Sequence, residues 1–150
     1  MSDVRVLKAA LDDATDMINA SRKPVIIADV ELHRFGLQKE VELARRTNIP
    51  IASTLLGKSV VAENLPFYMG VYEGAMGREE VRRYVESSDC VILLGAFLTD
   101  INLGVFTARL DPARSIYATS EKLSIQYRNY EDVRFKDFMR RLLQIGRAHV

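Results

Sequence analysis

Two short apolar runs constrain the fold of this 150-residue chain most strongly. Residues 25–28 (Val-Ile-Ile-Ala) follow a proline, and the second predicted strand spans residues 89–95 (Asp-Cys-Val-Ile-Leu-Leu-Gly). Neither run alternates apolar with polar residues, which is typical of strands covered on both faces, as in a parallel sheet. Because parallel strands need crossover connections, the sequence around the two runs should supply helices on both sides of the sheet.

The rest of the chain alternates helical and strand patterns. Apolar residues recur at three- and four-residue spacing, which predicts amphipathic helices at 3–21, 37–48, 78–87 and 135–143. Further strands are predicted at 51–54, 67–72, 115–119 and 123–127. The last of these alternates apolar with polar residues, as an edge strand does. The sequence therefore predicts one three-layer α/β/α domain, with a Rossmann-like sheet of six parallel strands and helices on both faces.

The composition argues against several classes of protein. A net charge of +1 gives no basic surface for nucleic acid. The longest apolar run, residues 90–98, is about half as long as the roughly 20 residues that a membrane-spanning helix needs. We therefore expect neither nucleic acid nor membrane as a partner. The start of the chain lacks a signal-peptide pattern, so we expect a cytoplasmic location.

The single cysteine, Cys90, leaves no internal disulfide and no zinc cluster to build. It lies inside a predicted buried strand, where a free cysteine usually behaves as a small apolar residue. We expect Cys90 to be an inert core residue.

The polar loop at residues 29–36 is the first place to look for a site, because ligands of parallel sheets bind beyond the carboxyl ends of the strands. A dinucleotide site there would need G-x-G-x-x-G directly after the strand. The loop instead carries Asp29 and Glu31, with its first glycine at Gly36. Two carboxylates would repel a pyrophosphate, so the pattern argues against ordinary NAD or FAD binding. A P-loop is also absent, because residues 56–59 lack the earlier glycine.

Other polar side chains near the predicted strand ends leave alternatives open. His33 could act as a general base with a positioned partner, but no second histidine or cysteine is in prospect for a metal site. Arg34 and Lys58 could meet an anion, or could be solvated or form an interdomain salt bridge. Asp100 and Asn102 could line a crevice or cap the next helix. No Ser-His-Asp order or nucleophile elbow is present.

Several segments together resemble the central domain of thiamine-diphosphate-dependent 2-oxo acid decarboxylases, in the branch that includes the indolepyruvate, phenylpyruvate and pyruvate enzymes. The segments that carry the resemblance are 23–38, 54–59, 70–74, 89–95, 98–104, 111–114 and 119–122. They are collinear, and the resemblance covers residues 3–143, which makes it more specific than any one motif.

The resemblance implies a parent enzyme of three α/β domains, a lyase and a homo-oligomer (dimer or tetramer). The pyrimidine-binding domain would bring the glutamate that activates thiamine, and the pyrophosphate-binding domain the G-D-G…N motif that holds magnesium. This chain contains no G-D-G. We therefore expect it to bind neither thiamine diphosphate nor magnesium and to be inactive alone. Its expected role is to space and orient the two cofactor domains of the parent.

Two rival functions remain open. In related branches the middle domain binds FAD or ADP, so the chain could be a nucleotide-binding module, although the glycine-rich turn of the flavin-binding branch is missing. It could also be a free-standing interaction domain without an enzyme parent.

In the decarboxylase branch the middle domain adjoins, in some members, a substrate-activation site between domains. We therefore expect the crevice at the carboxyl ends of the strands to be an interdomain or effector site. The residues assigned to it are Asp29, Glu31, His33, Arg34, Lys58, Thr99, Asp100 and Asn102. No catalytic residue, cofactor ligand or metal ligand is assigned.

The sequence predicts a domain over residues 1–144 and a non-native tail over residues 145–150. The tail (Ile-Gly-Arg-Ala-His-Val) reads like an in-frame translation of a common sequencing adapter. We assign no role to its histidine.

Overall fold

The computed structural model describes residues 2–28, 49–53, 68–71, 79–94, 111–118 and 123–148. Within these ranges the chain forms three α-helices, one 3₁₀ turn and seven strands. The helices are α1 (Val4–Ala20), α2 (Glu79–Ser87), a short 3₁₀ turn (Pro112–Arg114) and α3 (Phe135–Ala148). The strands are β1 (Pro24–Ala28), β2 (Ile51–Ser53), β3 (Tyr68–Val71), β4 (Cys90–Leu94), β5 (Ser115–Ala118), β6 (Leu123–Ile125) and β7 (Arg128–Tyr130).

The described strands form one seven-stranded sheet in the order β3-β2-β1-β4-β5-β6-β7. The strands β3, β2, β1, β4 and β5 are parallel to one another, whereas β6 pairs antiparallel with both β5 and β7. The centre of the sheet is the β1–β4 pair, in which Ile26 lies opposite Ile92. Ile92 in turn lies opposite Ile116 of β5. The predicted α/β class and Rossmann-like arrangement are confirmed.

The prediction of six parallel strands is wrong at the end of the sheet. Only two residues, Gln126 and Tyr127, separate β6 from β7, and a connection that short can join only antiparallel strands. The predicted edge strand at 123–127 is therefore the inner strand of a hairpin, and β7 occupies the edge. Gln126 has a φ of 57°, and its backbone N–H donates to Ser115 O at 2.9 Å.

Both faces of the sheet are covered, as the unalternating apolar runs predict. On one face, isoleucines of four parallel strands share a core with α1, α3 and the hairpin: Ile26, Ile51, Ile92 and Ile116. On the other face, α2 buries Val81 and Val85 against β1 and β4. Because neighbouring residues of β1 and β4 point to opposite faces, every position of these strands must be apolar.

The first helix forms where its apolar stripe predicts it. Leu7, Ala10, Leu11 and Ala14 are its buried residues. Asp3 is the N-cap, and its Oδ1 accepts hydrogen bonds from the backbone N–H groups of Arg5 at 2.9 Å and Val6 at 3.3 Å. Such a cap satisfies donors that the first helical turn leaves free.

The start of α1 is fastened to the start of α3. The Ser2 hydroxyl donates to Asp137 Oδ2 at 2.6 Å and accepts from the backbone N–H of Arg134, also at 2.6 Å. The backbone N–H of Asp3 donates to Asp132 O at 2.8 Å. The Ser2 hydroxyl is the main reason that the pKa of Asp137 is lowered. The two helices that cover one face of the sheet therefore begin at a common point.

Two predictions stand apart from the described elements. The helix predicted at 37–48 lies outside the described residues. The predicted boundary at residue 144 stays a prediction, and α3 continues to Ala148.

Among the helices that are described, none has both the length and the apolar character required to cross a bilayer.

Truncation of the central strand tests this core. Ile92 is fully buried and lies opposite Ile26 and Ile116, so Ile92→Ala should lower the free energy of unfolding by about 2–5 kcal/mol. The control is Val4→Ala, because Val4 is 73% exposed and its truncation should change the value by less than about 0.5 kcal/mol. Urea titration followed by circular dichroism measures both. An equal decrease in the free energy of unfolding in the two variants would contradict the placement of Ile92 in the core.

Candidate functional site

The geometry of the sheet puts a candidate crevice at the carboxyl ends of β1 and β4. The chain runs from β1 outward to β2 and β3 on one side, then crosses back to β4 and β5 on the other. β1 and β4 are therefore the neighbours between which the strand order reverses. Ala28 and Leu94, the last residues of the two strands, lie opposite each other. In open α/β sheets, ligands bind beyond the strand ends at this point.

The residues predicted for this crevice follow strands whose ends the structure places. Residue 29 follows the last residue of β1, and residue 95 follows the last residue of β4. Residue 54 follows the last residue of β2, which pairs with β1. The eight predicted residues themselves lie outside the described residues: Asp29, Glu31, His33, Arg34, Lys58, Thr99, Asp100 and Asn102. Their assignment to one crevice stays a prediction.

The opposite, amino end of the same strand pair is held by an aspartate that the sequence analysis did not single out. Asp89 accepts hydrogen bonds from the backbone N–H groups of Arg22 at 2.7 Å and Lys23 at 2.9 Å. The first of these bonds is the main reason that the pKa of Asp89 is lowered. Since Arg22 and Lys23 precede β1 while Asp89 precedes β4, one carboxylate fastens the two turns that lead into the central strands.

Ser88 adds a second link at this end. Its hydroxyl donates to Lys23 O at 2.5 Å and accepts from the backbone N–H of Cys90 at 3.2 Å. The side chain of Ser88 is buried, so its hydroxyl must be satisfied inside the protein. The signal in the sequence was the Ser-Ser-Asp run before an apolar strand, a composition typical of turns.

Lys23 is also engaged within the domain. Its Nζ lies 4.5 Å from the centroid of the Tyr84 ring and is hydrogen-bonded to the Ser87 hydroxyl. A cation over an aromatic face is attracted by the negative π surface. Burial, and secondarily Asp89, raise the pKa of Tyr84. Asp89, Ser88 and Lys23, at the amino ends of β1 and β4, are thus all engaged in contacts within the domain.

Cys90 is a core residue, as predicted. Its side chain is buried, and burial, with a smaller contribution from Asp89, raises the pKa of the thiol to about 12. The thiol is therefore protonated near neutral pH, and it lacks the thiolate character of a nucleophile.

A further polar cluster links α1 to the hairpin. Tyr130 Oη donates to Asp13 Oδ2 at 2.7 Å, and Arg128 Nη2 lies 2.8 Å from Asp13 Oδ1. Burial and the Asp13 carboxylate raise the pKa of Tyr130. Arg128 also donates to Gln126 Oε1 at 3.2 Å. These contacts pin the edge strand to α1, which is a packing role.

The described residues hold no group of three or more histidine, cysteine, aspartate or glutamate side chains that could bind a metal ion.

Comparison with known proteins identifies the domain. The family model described as "Thiamine pyrophosphate enzyme, central domain" matches residues 11–144. The chain belongs to this family.

Similar proteins come from several organisms. The chain is 32% identical to the indole-3-pyruvate decarboxylase of Azospirillum brasilense over 143 residues, which cover 95% of the chain and 26% of that protein. It is 32% identical to the alpha-keto-acid decarboxylase of Mycobacterium leprae, covering 94% of the chain and 25% of that protein. It is 30% identical to pyruvate decarboxylase isozyme 3 of Saccharomyces cerevisiae, covering 96% and 26%. The chain thus spans about a quarter of the length of the relatives that it matches, and the predicted resemblance is confirmed.

The Asp89 link predicts a specific pH dependence. Because the pKa of Asp89 is lowered in the folded state, its stabilisation is present above its unfolded pKa of about 4 and is lost as the pH falls through the folded pKa. Asp89→Asn should lower the free energy of unfolding by about 1 kcal/mol at about pH 7, a modest loss because the carboxylate is solvent-exposed. The difference from the parent chain should shrink at about pH 3, as urea titrations at both pH values can measure.

The control for Asp89→Asn is Asp16→Asn. Asp16 is an exposed carboxylate of α1, so its neutralisation should have little effect at either pH. A difference between Asp89→Asn and the parent chain that is the same at both pH values would contradict a role for the Asp89 charge.

Proposed function

We propose that this chain is the middle domain of a thiamine-diphosphate- and magnesium-dependent 2-oxo acid decarboxylase, and that it is not catalytic alone. Its job is to space and orient two neighbouring domains of the parent. The observation that carries the proposal is the match of residues 11–144 to the central domain of thiamine pyrophosphate enzymes. The decarboxylases named above support the reaction class, because the chain aligns with them along nearly its whole length.

The fold supports a spacing role. Both faces of the central strands are buried under helices, and the amino ends of β1 and β4 are locked by Asp89 and Ser88. A closely packed domain of this kind can hold two neighbouring domains at a fixed distance and orientation. We assign the interdomain or effector crevice to the carboxyl-end edge, which leads into the eight polar residues named above.

The proposed partners are the pyrimidine-binding and pyrophosphate-binding domains of the same polypeptide. Thiamine diphosphate and magnesium belong to these partners, and the parent is proposed to be a cytoplasmic homo-oligomer (dimer or tetramer). We expect this chain not to hold the cofactor itself, because its sequence lacks the G-D-G motif.

The first test is an activity assay of the chain alone. With thiamine diphosphate and magnesium added, the chain should not decarboxylate phenylpyruvate, indolepyruvate or pyruvate, because the groups that activate thiamine and hold magnesium are expected in the partner domains. The rate of aldehyde formation, followed through a coupled dehydrogenase, should equal the rate of a blank that lacks the chain. The Azospirillum brasilense indole-3-pyruvate decarboxylase, assayed in parallel on indolepyruvate, is the positive control. Turnover by the chain would overturn the proposal of a non-catalytic domain.

A nucleotide-binding module is the second candidate, because dinucleotides bind at the same kind of switch point that β1 and β4 form. The sequence of residues 29–36 argues against it, because it has two acidic residues and no G-x-G-x-x-G. Calorimetric titration with FAD, ADP and NAD separates the candidates. We expect no binding heat beyond the buffer blank, since carboxylates in place of a glycine-rich turn disfavour a pyrophosphate.

The variant Arg34→Ala/Lys58→Ala sharpens the titration. If a nucleotide binds with micromolar affinity to the parent chain and more weakly to the variant, the crevice is a nucleotide site and the second candidate replaces the first. Binding that the double substitution leaves unchanged would place the nucleotide elsewhere on the domain and would still contradict the expected result.

The third candidate is a free-standing interaction domain. The coding sequence downstream of residue 144 distinguishes it from a domain of an enzyme parent. Coding sequence downstream of residue 144 that encodes a G-D-G…N segment would support the enzyme parent. A stop codon there in the native gene would favour the free-standing domain.

A further inference from the structure

We draw no further inference here: the strongest candidate, the tip of the β6–β7 hairpin where Tyr127 is exposed beside Arg128, carries nothing because nothing in the structure shows what covers it.

Discussion

The parallel pairing of β1 with β4 is the constraint on which the rest of the domain depends. All five residues of β4 are buried, and Val25, Ile26 and Ile27 of β1 are fully buried beside them. Residues of such strands point alternately to two faces, so both faces need a helical cover. Helices α1 and α3 cover one face, and α2 covers the other. The helices that the structure describes on the two faces therefore serve the burial of this one strand pair.

Side chains at the amino ends of β1 and β4 hold these two strands together. Asp89 and Ser88 hold the chain before β1 against the chain before β4, across more than sixty residues of sequence separation. Hydrogen bonds to a carboxylate are stronger than those between neutral groups, and two that meet on one carboxylate define a direction as well as a distance. From this end the two strands pair in continuous register as far as Ala28 and Leu94, which lie opposite each other at the carboxyl end.

Local sequence patterns predicted the first helix and the central strands because the spacing of apolar residues within each segment indicates which type of element it forms. The stripe of α1 and the runs of β1 and β4 place those elements to within one or two residues. The hairpin was missed since Gln126 and Tyr127 lack the Asn-Gly or Gly pattern that marks a two-residue turn. Long-range contacts support Gln126 instead, including one from its side chain to Ala113 O at 3.2 Å. The predicted crevice residues follow strands that are neighbours in the sheet, and this is known only from the strand order. A local sequence pattern cannot give the distances between side chains that follow different strands.

Membership of the family fixes the scaffold, whereas the residues after each strand decide what the scaffold can bind. A glycine-rich turn lets backbone N–H groups approach a pyrophosphate, and the positive end of the following helix favours the charge. Asp29 and Glu31 occupy the corresponding stretch of this chain. Carboxylates in that stretch would repel a pyrophosphate, which is why we propose a neighbouring protein domain rather than a dinucleotide as the occupant of the crevice.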